Sequence, residues 1–182
     1  MDPSAAGRVT TPYEGQPHPG WDPSRRIDVP LALHACTVPV AWADYNDHMT
    51  ESAFLLAFGD GSDALFRYVG VDEDYRASGF SLFTVETHLR NLREASVGDR
   101  LDLTLLVIGV DAKRLHIAHE MHAHGEVIAT AEQMLLHVDT ESGRTAPFPP
   151  YLRARLDDIA AAHASAPHPA WIGRSIHLPD PR

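Results

Sequence analysis

Asp44, Asn46, Asp47 and His48 fall within a five-residue stretch between a short apolar run and the start of a largely apolar helix. Carboxylate and imidazole groups exchange protons, and a carboxylate can also attack an acyl carbon. The next segment opens with Thr50-Glu51. The first N–H groups of a helix lack intrahelical partners and carry partial positive charge. Strand, polar turn and helix start therefore set a reactive carboxylate beside an anion site. Asp44 is the group expected to carry the chemistry, and the amides near Thr50 and Glu51 are the expected donors to a developing oxyanion. Glu51 itself also suits the positive end of a helix dipole. Asn46 and His48 either orient substrate or water, or close the turn by side-chain to backbone hydrogen bonds.

The flanking elements must hold this turn. Residues 33–40, LHACTVPV, read as a strand, and residues 51–69 read as a helix with Phe54, Leu55, Phe58, Leu65 and Val69 on one face. Gly59 and Gly61 weaken that helix, which either bends there or uses its small residues to approach a sheet closely. After a polar loop at 72–79 come four strand-like runs, 82–92, 101–110, 115–121 and 127–138. In the first, Phe83, Val85 and Leu89 alternate with Glu86, His88 and Arg90. Short turns at Asp111-Ala112-Lys113 and Gly125-Glu126 predict an antiparallel meander. Residues 150–164 read as an amphipathic helix with Leu152, Leu156 and Ile159 inward. Residues 1–30 form an N-terminal arm, 31–165 a single domain, and 166–182 a Pro-rich tail pinned by Trp171 and Ile176. One helix on a five-stranded sheet leaves long edges, so a dimer joined edge to edge is expected.

Composition narrows the class. The chain has 182 residues, 44% of them hydrophobic, which suits one globular domain with its own core. No apolar run approaches the ~20 residues that span a bilayer, and the N-terminus has no signal-peptide core. One cysteine, Cys36, excludes an intramolecular disulfide and fits a cytoplasmic protein. A formal net charge of −10 argues against nucleic acid as partner.

The order strand, long helix and antiparallel strands, with Asp44 four residues before His48 and with Val97-Gly98-Asp99-Arg100-Leu101, resembles the hotdog-fold acyl-CoA thioesterases of the 4-hydroxybenzoyl-CoA thioesterase type. The resemblance covers roughly residues 33 to 150. Three segments, Asp44-Tyr45-Asn46-Asp47-His48-Met49, residues 82–90 and residues 129–139, are most similar to the thioesterase domains found with carnitine dehydrogenase, which hydrolyse betainyl-CoA. The resemblance implies an α+β hotdog fold, no cofactor, and Asp44 as nucleophile or general base on a small acyl-CoA. It also implies cations for the CoA phosphates, for which Arg90, Arg93, Lys113 and Arg114 are available. If the acyl group is betainyl, its quaternary ammonium calls for aromatic faces, and Trp42 and Tyr45 flank Asp44. Asp47 and Thr50 stand where glycine and asparagine are common in such turns.

Other chemistries fit less well. The (R)-specific enoyl-CoA hydratases share the fold and use an Asp-x-Asn-Pro-x-His turn, but here Asp47 replaces the proline and His48 comes one residue early. His116, His119, His122 and His124 suggest a metal, yet His119 falls on the opposite strand face and His124 enters a turn, so no metal site is expected. Cys36 has no supporting arrangement, and there is no G-x-S-x-G elbow. A non-catalytic acyl-CoA-binding module remains the alternative from a different class.

Overall fold

A computed structural model describes residues 11–176 and Leu178; the start of the expected arm, residues 1–10, and tail residues 177 and 179–182 lie outside the described residues. The chain runs β1 (Leu31–Thr37), α1 (Glu51–Val69), α2 (Glu73–Ala77), β2 (Phe80–Asn91), β3 (Arg100–Val110), β4 (Arg114–Ala123), β5 (Glu126–Asp139), β6 (Arg144–Thr145) and α3 (Pro150–His163). All pairings are antiparallel, in the order β1-β3-β4-β5-β2, with the two-residue β6 beside β5. This is the α+β hotdog arrangement, a sheet wrapped along one long helix.

Two expectations about the sheet are corrected. The strands are not a simple meander, because β2 pairs with β5 and β1 takes the place beside β3. Along that order only β3, β4 and β5 follow one another as neighbours, and the β2–β3 connection pairs with the residues just before α1 through the Met49 amide and the Ala95 carbonyl at 2.7 Å. The first strand ends at Thr37, and Val40–Trp42 form a single 3₁₀ turn instead of its last residues. The loop at 72–79 contains α2, capped by Asp72, whose carboxylate accepts from the Tyr75 amide at 3.0 Å.

Helix α1 has the predicted limits and runs unbroken through Gly59 and Gly61. Of the two readings, close approach is the one realised. A Cβ on Gly61 would lie 3.2 Å from Leu103 Cδ2 and 3.5 Å from the His119 ring, so glycine lets the helix descend onto β3 and β4. The buried face centres on Ala57, Phe58, Gly61 and Leu65; Leu55, expected inward, turns out to the surface. Helix α3 adds Leu152, Leu156 and Ile159 to the same core as Leu65, Val69, Leu105 and Leu115. Both helices therefore cover one sheet face. Pro167, Pro169 and Trp171 cross the other, over Thr104, Leu106 and Ala118, and the Gly173 amide donates to Glu132 at 2.7 Å. Trp171 is thus a pin, whereas Ile176 is 93% exposed and is not.

The described part of the arm is held both by apolar packing, with Trp21 and Ile27 against the core, and by polar bonds. Fully buried Arg67 reaches Asp63, Glu73 and Glu14, while Thr11 Oγ1 donates to Asp63 at 2.8 Å. The Tyr13 hydroxyl lies 2.6 Å from His34 Nδ1.

His119 sits under α1, its Nε2 3.1 Å from Ser62 Oγ, which donates in turn to Gln133 Oε1 at 2.7 Å. Burial is the main cause that pushes its pKa down from 6.5 to about 3. The folded protein thus resists a proton that the unfolded chain accepts. Between those two values His119 makes stability rise with pH, and lose about 1.4 kcal/mol for each pH unit on acidification. Asp60, raised to about 6 by burial and then by Asp63, acts in the opposite sense between 3.8 and 6. A comparison of wild type with His119→Gln separates the two. Urea unfolding at pH 4, 5 and 6 should show a pH slope lower by about 1.4 kcal/mol per unit in the variant; equal slopes would refute it.

Candidate active site

Strand β1 and the 3₁₀ turn deliver the chain to Asp44 at the N-terminus of α1. Asp44 Oδ1 accepts from the Asn46 amide at 2.7 Å and from the His48 amide at 3.2 Å. The Asp44 amide donates to the His48 carbonyl at 2.8 Å, closing the turn from both sides. Asp47 occupies the left-handed region at φ 61°, a conformation that aspartate tolerates better than most residues. Both bonds to the carboxylate fall on Oδ1, so Oδ2 is the oxygen left to reach a substrate.

The connection after β2 clamps this turn. The Met49 amide donates to the Ala95 carbonyl at 2.7 Å, and His48 bridges to Ser96. The His48 ring turns to Glu94, with Nδ1 3.5 Å from a carboxylate oxygen, and not to Asp44. An Asp–His proton-transfer pair is therefore not assembled in the turn. Glu94, Ala95 and Ser96 were not legible as site residues; they carry no motif, and only the strand order brings them here.

The oxyanion donors need one correction. The Thr50 amide is already committed to the Trp42 carbonyl at 2.8 Å, so it cannot polarise a substrate. Thr50 is the N-cap residue without a side-chain capping bond, which leaves the first-turn amides of Glu51 and Ser52 at the exposed helix start. Glu51 is exposed.

Trp42 is half-buried against the core around Phe54 and Phe58, whereas Tyr45 is 95% exposed and walls nothing within one chain. Arg93 lies near the site but pairs with Glu126 at 3.0 Å. Arg90 is on β2 opposite Thr130. Lys113 and Arg114 sit at the β3–β4 hairpin, at the far end of β3 from Asp44; Lys113 Nζ donates to Thr145 at 3.1 Å and Arg114 pairs with Asp111. They cannot act beside the Asp44 of their own chain. The four histidines diverge: His116 meets Glu132, His122 lies near Glu120, His124 pairs with Asp99, and His119 is in the core. Among the described residues no three potential ligands converge on a metal position.

A single long helix seated in an antiparallel sheet, with a carboxylate at its N-terminus, defines a hotdog protein with a site suited to acyl transfer. Residues 38–156 match the thioesterase-like superfamily, and the chain belongs to it. The L-carnitine dehydrogenase/betainyl-CoA thioesterase of Rhizobium meliloti (strain 1021) is 44% identical over 94% of this chain and 36% of its own length. The chain thus spans about a third of that relative. The betainyl-CoA thioesterase of Pseudomonas aeruginosa is 43% identical over 84% of this chain and 98% of its own length. Among solved structures, the Staphylococcus aureus protein SAV2348 in complex with CoA is 25% identical, covers 85% of this chain and all of its own, and has a TM-score of 0.74.

Proposed function

We propose that this protein hydrolyses a small acyl-CoA thioester, betainyl-CoA, to betaine and free CoA. The observation that carries the reading is the Asp44 turn: one carboxylate oxygen held by two amides, the other free, beside the amides of Glu51 and Ser52. In this reading Asp44 Oδ2 attacks the thioester carbonyl or takes a proton from the attacking water. The Glu51 and Ser52 amides meet the oxyanion, a contact worth about 3 kcal/mol per well-aimed donor. Asn46 and His48 hold Asp44 through their backbones, and Trp42 supplies an apolar wall. The relatives' names support the betainyl group, since the Pseudomonas aeruginosa protein matches over nearly its whole length.

The test is thiol release from betainyl-, acetyl-, medium-chain and aromatic acyl-CoA. Release fastest with betainyl-CoA, and lost in Asp44→Asn, supports the whole reading. Release fastest with another ester keeps the hydrolase and discards betaine; binding without release leaves an acyl-CoA-binding module.

The working unit in this reading is a cytoplasmic homodimer joined along β2. That strand is 12 residues long, lies at the sheet edge, and exposes Phe83 and Val85. A long apolar edge of this kind pairs readily with another strand. Light scattering should give the mass of two chains for wild type and one for Val85→Lys; a monomeric wild type would refute it.

A further inference from the structure

A cavity of about 460 Å³ lies between the arm and the last turn of α1, lined by Asp22, Arg25, Arg26, Asp28, Leu33 and Tyr68 among others. That volume suits a small organic ligand, for which pockets of about 300–1,000 Å³ are usual. Its walls are fixed at three points. The Asp22 carboxylate accepts from the Ser24 amide at 2.9 Å and from its hydroxyl at 2.7 Å. Trp21 meets the Tyr68 ring in a T-shaped contact, with centroids 5.7 Å apart. The Asp28 carbonyl lies 3.1 Å from Nε2 of buried His163; that ring accepts from the Val107 amide at Nδ1, so Nε2 carries the proton and donates. Two cations and two anions thus face one cavity, and among the described residues none of the four has an ion-pair partner. Burial, and then the Asp28 charge, pushes the Tyr68 hydroxyl above its ordinary range, so it remains a neutral donor.

Opposite charges held apart beside an aromatic wall complement a molecule that carries both signs itself. A carboxylate takes the two guanidinium groups. A quaternary ammonium, which cannot donate a hydrogen bond, takes the Tyr68 ring and the Asp28 charge. A more highly charged anion such as phosphate meets repulsion from Asp22 and Asp28. The cavity is also remote from the reaction. Tyr68 is the next-to-last residue of α1, a helix of 19 residues and about 28 Å, whereas Asp44 lies before its first turn. Leu31 and Leu33, which also line the cavity, belong to β1, at the opposite edge of the sheet from β2. We propose that this cavity is a second binding site, outside the reaction centre, for a small zwitterion of carboxylate and quaternary ammonium. Betaine, the product in the reading above, has this chemistry, and its choice as the ligand rests on that reading.

Betaine is the probe, titrated calorimetrically into the full chain. The double variant Arg25→Gln/Arg26→Gln should weaken its binding about tenfold. Both arginines are exposed and unpaired, so the variant keeps the fold. Choline, which lacks the carboxylate, and acetate, which lacks the ammonium, should each bind more weakly than betaine. Wild-type affinity in the double variant overturns the proposal, as does choline or acetate binding as tightly as betaine. Displacement of betaine by an equal concentration of inorganic phosphate overturns it too, because that marks a simple anion site. Backbone amide shifts locate the ligand: betaine should move the amides of residues 20–28. Shifts confined to residues 44–52 would place betaine at the reaction centre alone and overturn the second site. Thiol release keeps the two failures apart. If betainyl-CoA is not hydrolysed, the function reading falls, while the betaine titration still decides the cavity. If it is hydrolysed and betaine does not bind at the arm, only the cavity proposal falls.

Discussion

Asp44→Asn is expected to lower thioester turnover by about 10³-fold while leaving the fold intact. The asparagine amide oxygen can still accept from the Asn46 and His48 amides, so the two bonds that shape the turn survive. What disappears is the charge on the oxygen that faces substrate, and with it both nucleophilicity and basicity. Asp44→Ala is a harsher change because it also deletes both acceptor bonds, at about 1 kcal/mol each. The pair of variants therefore separates chemistry from architecture. Single-turnover thiol release is the measurement, with thermal unfolding as control. An Asp44→Asn protein within tenfold of wild type would remove Asp44 from the reaction.

The largest stability effect should come from Arg67→Met, at about 3 kcal/mol. Arg67 is fully buried and bonds to carboxylates from three parts of the chain: Asp63 on its own helix, Glu73 on α2 and Glu14 on the arm. Its hydrogen bond, before any other cause, pulls Glu73 from 4.5 down to about 2. Methionine fills similar space but leaves Asp63, only 15% exposed, without its cationic partner and with the Thr11 hydroxyl as donor. Glu14 and Glu73 are 47% and 39% exposed and can turn to water, which holds the cost at the low end of the range for a broken buried pair. Urea unfolding should show the loss, and amide exchange should rise at residues 11–16 as the arm loses its anchor. Wild-type protection there in a destabilised variant would mean that the arm is held without Arg67, by the bonds of Thr11, Tyr13 and Gly15 and by the Arg76–Glu14 pair.

Periodicity read the long elements well because burial acts on them locally. The apolar spacing from Phe54 to Val69 fixed the limits of α1, and Leu152, Leu156 and Ile159 were inward as expected. Phe83 and Val85 were misleading: alternation looks alike on a central strand and on an edge strand, and a bulge between Thr84 and Glu86 shifts the register there. Strand order was not legible because it depends on contacts far apart in sequence, such as β2 with β5. The same limit governed the site. Asp44 was visible from its turn and from the helix that follows it. The clamp at Glu94–Ser96, the commitment of the Thr50 amide to Trp42, and the remoteness of Lys113 are products of topology, which no local spacing encodes.

Asp47 shows how narrowly that turn restricts the residues it can accept over generations. Its positive φ is imposed by the bonds on either side, and a β-branched residue there would pay about 1–2 kcal/mol in backbone repulsion. Glycine, asparagine and aspartate escape most of that cost. The turn therefore acts as a filter on heritable change: exchange among these three keeps the backbone that presents Asp44, and other residues distort it. An aspartate where related turns favour glycine is then a change of spelling that leaves the geometry alone.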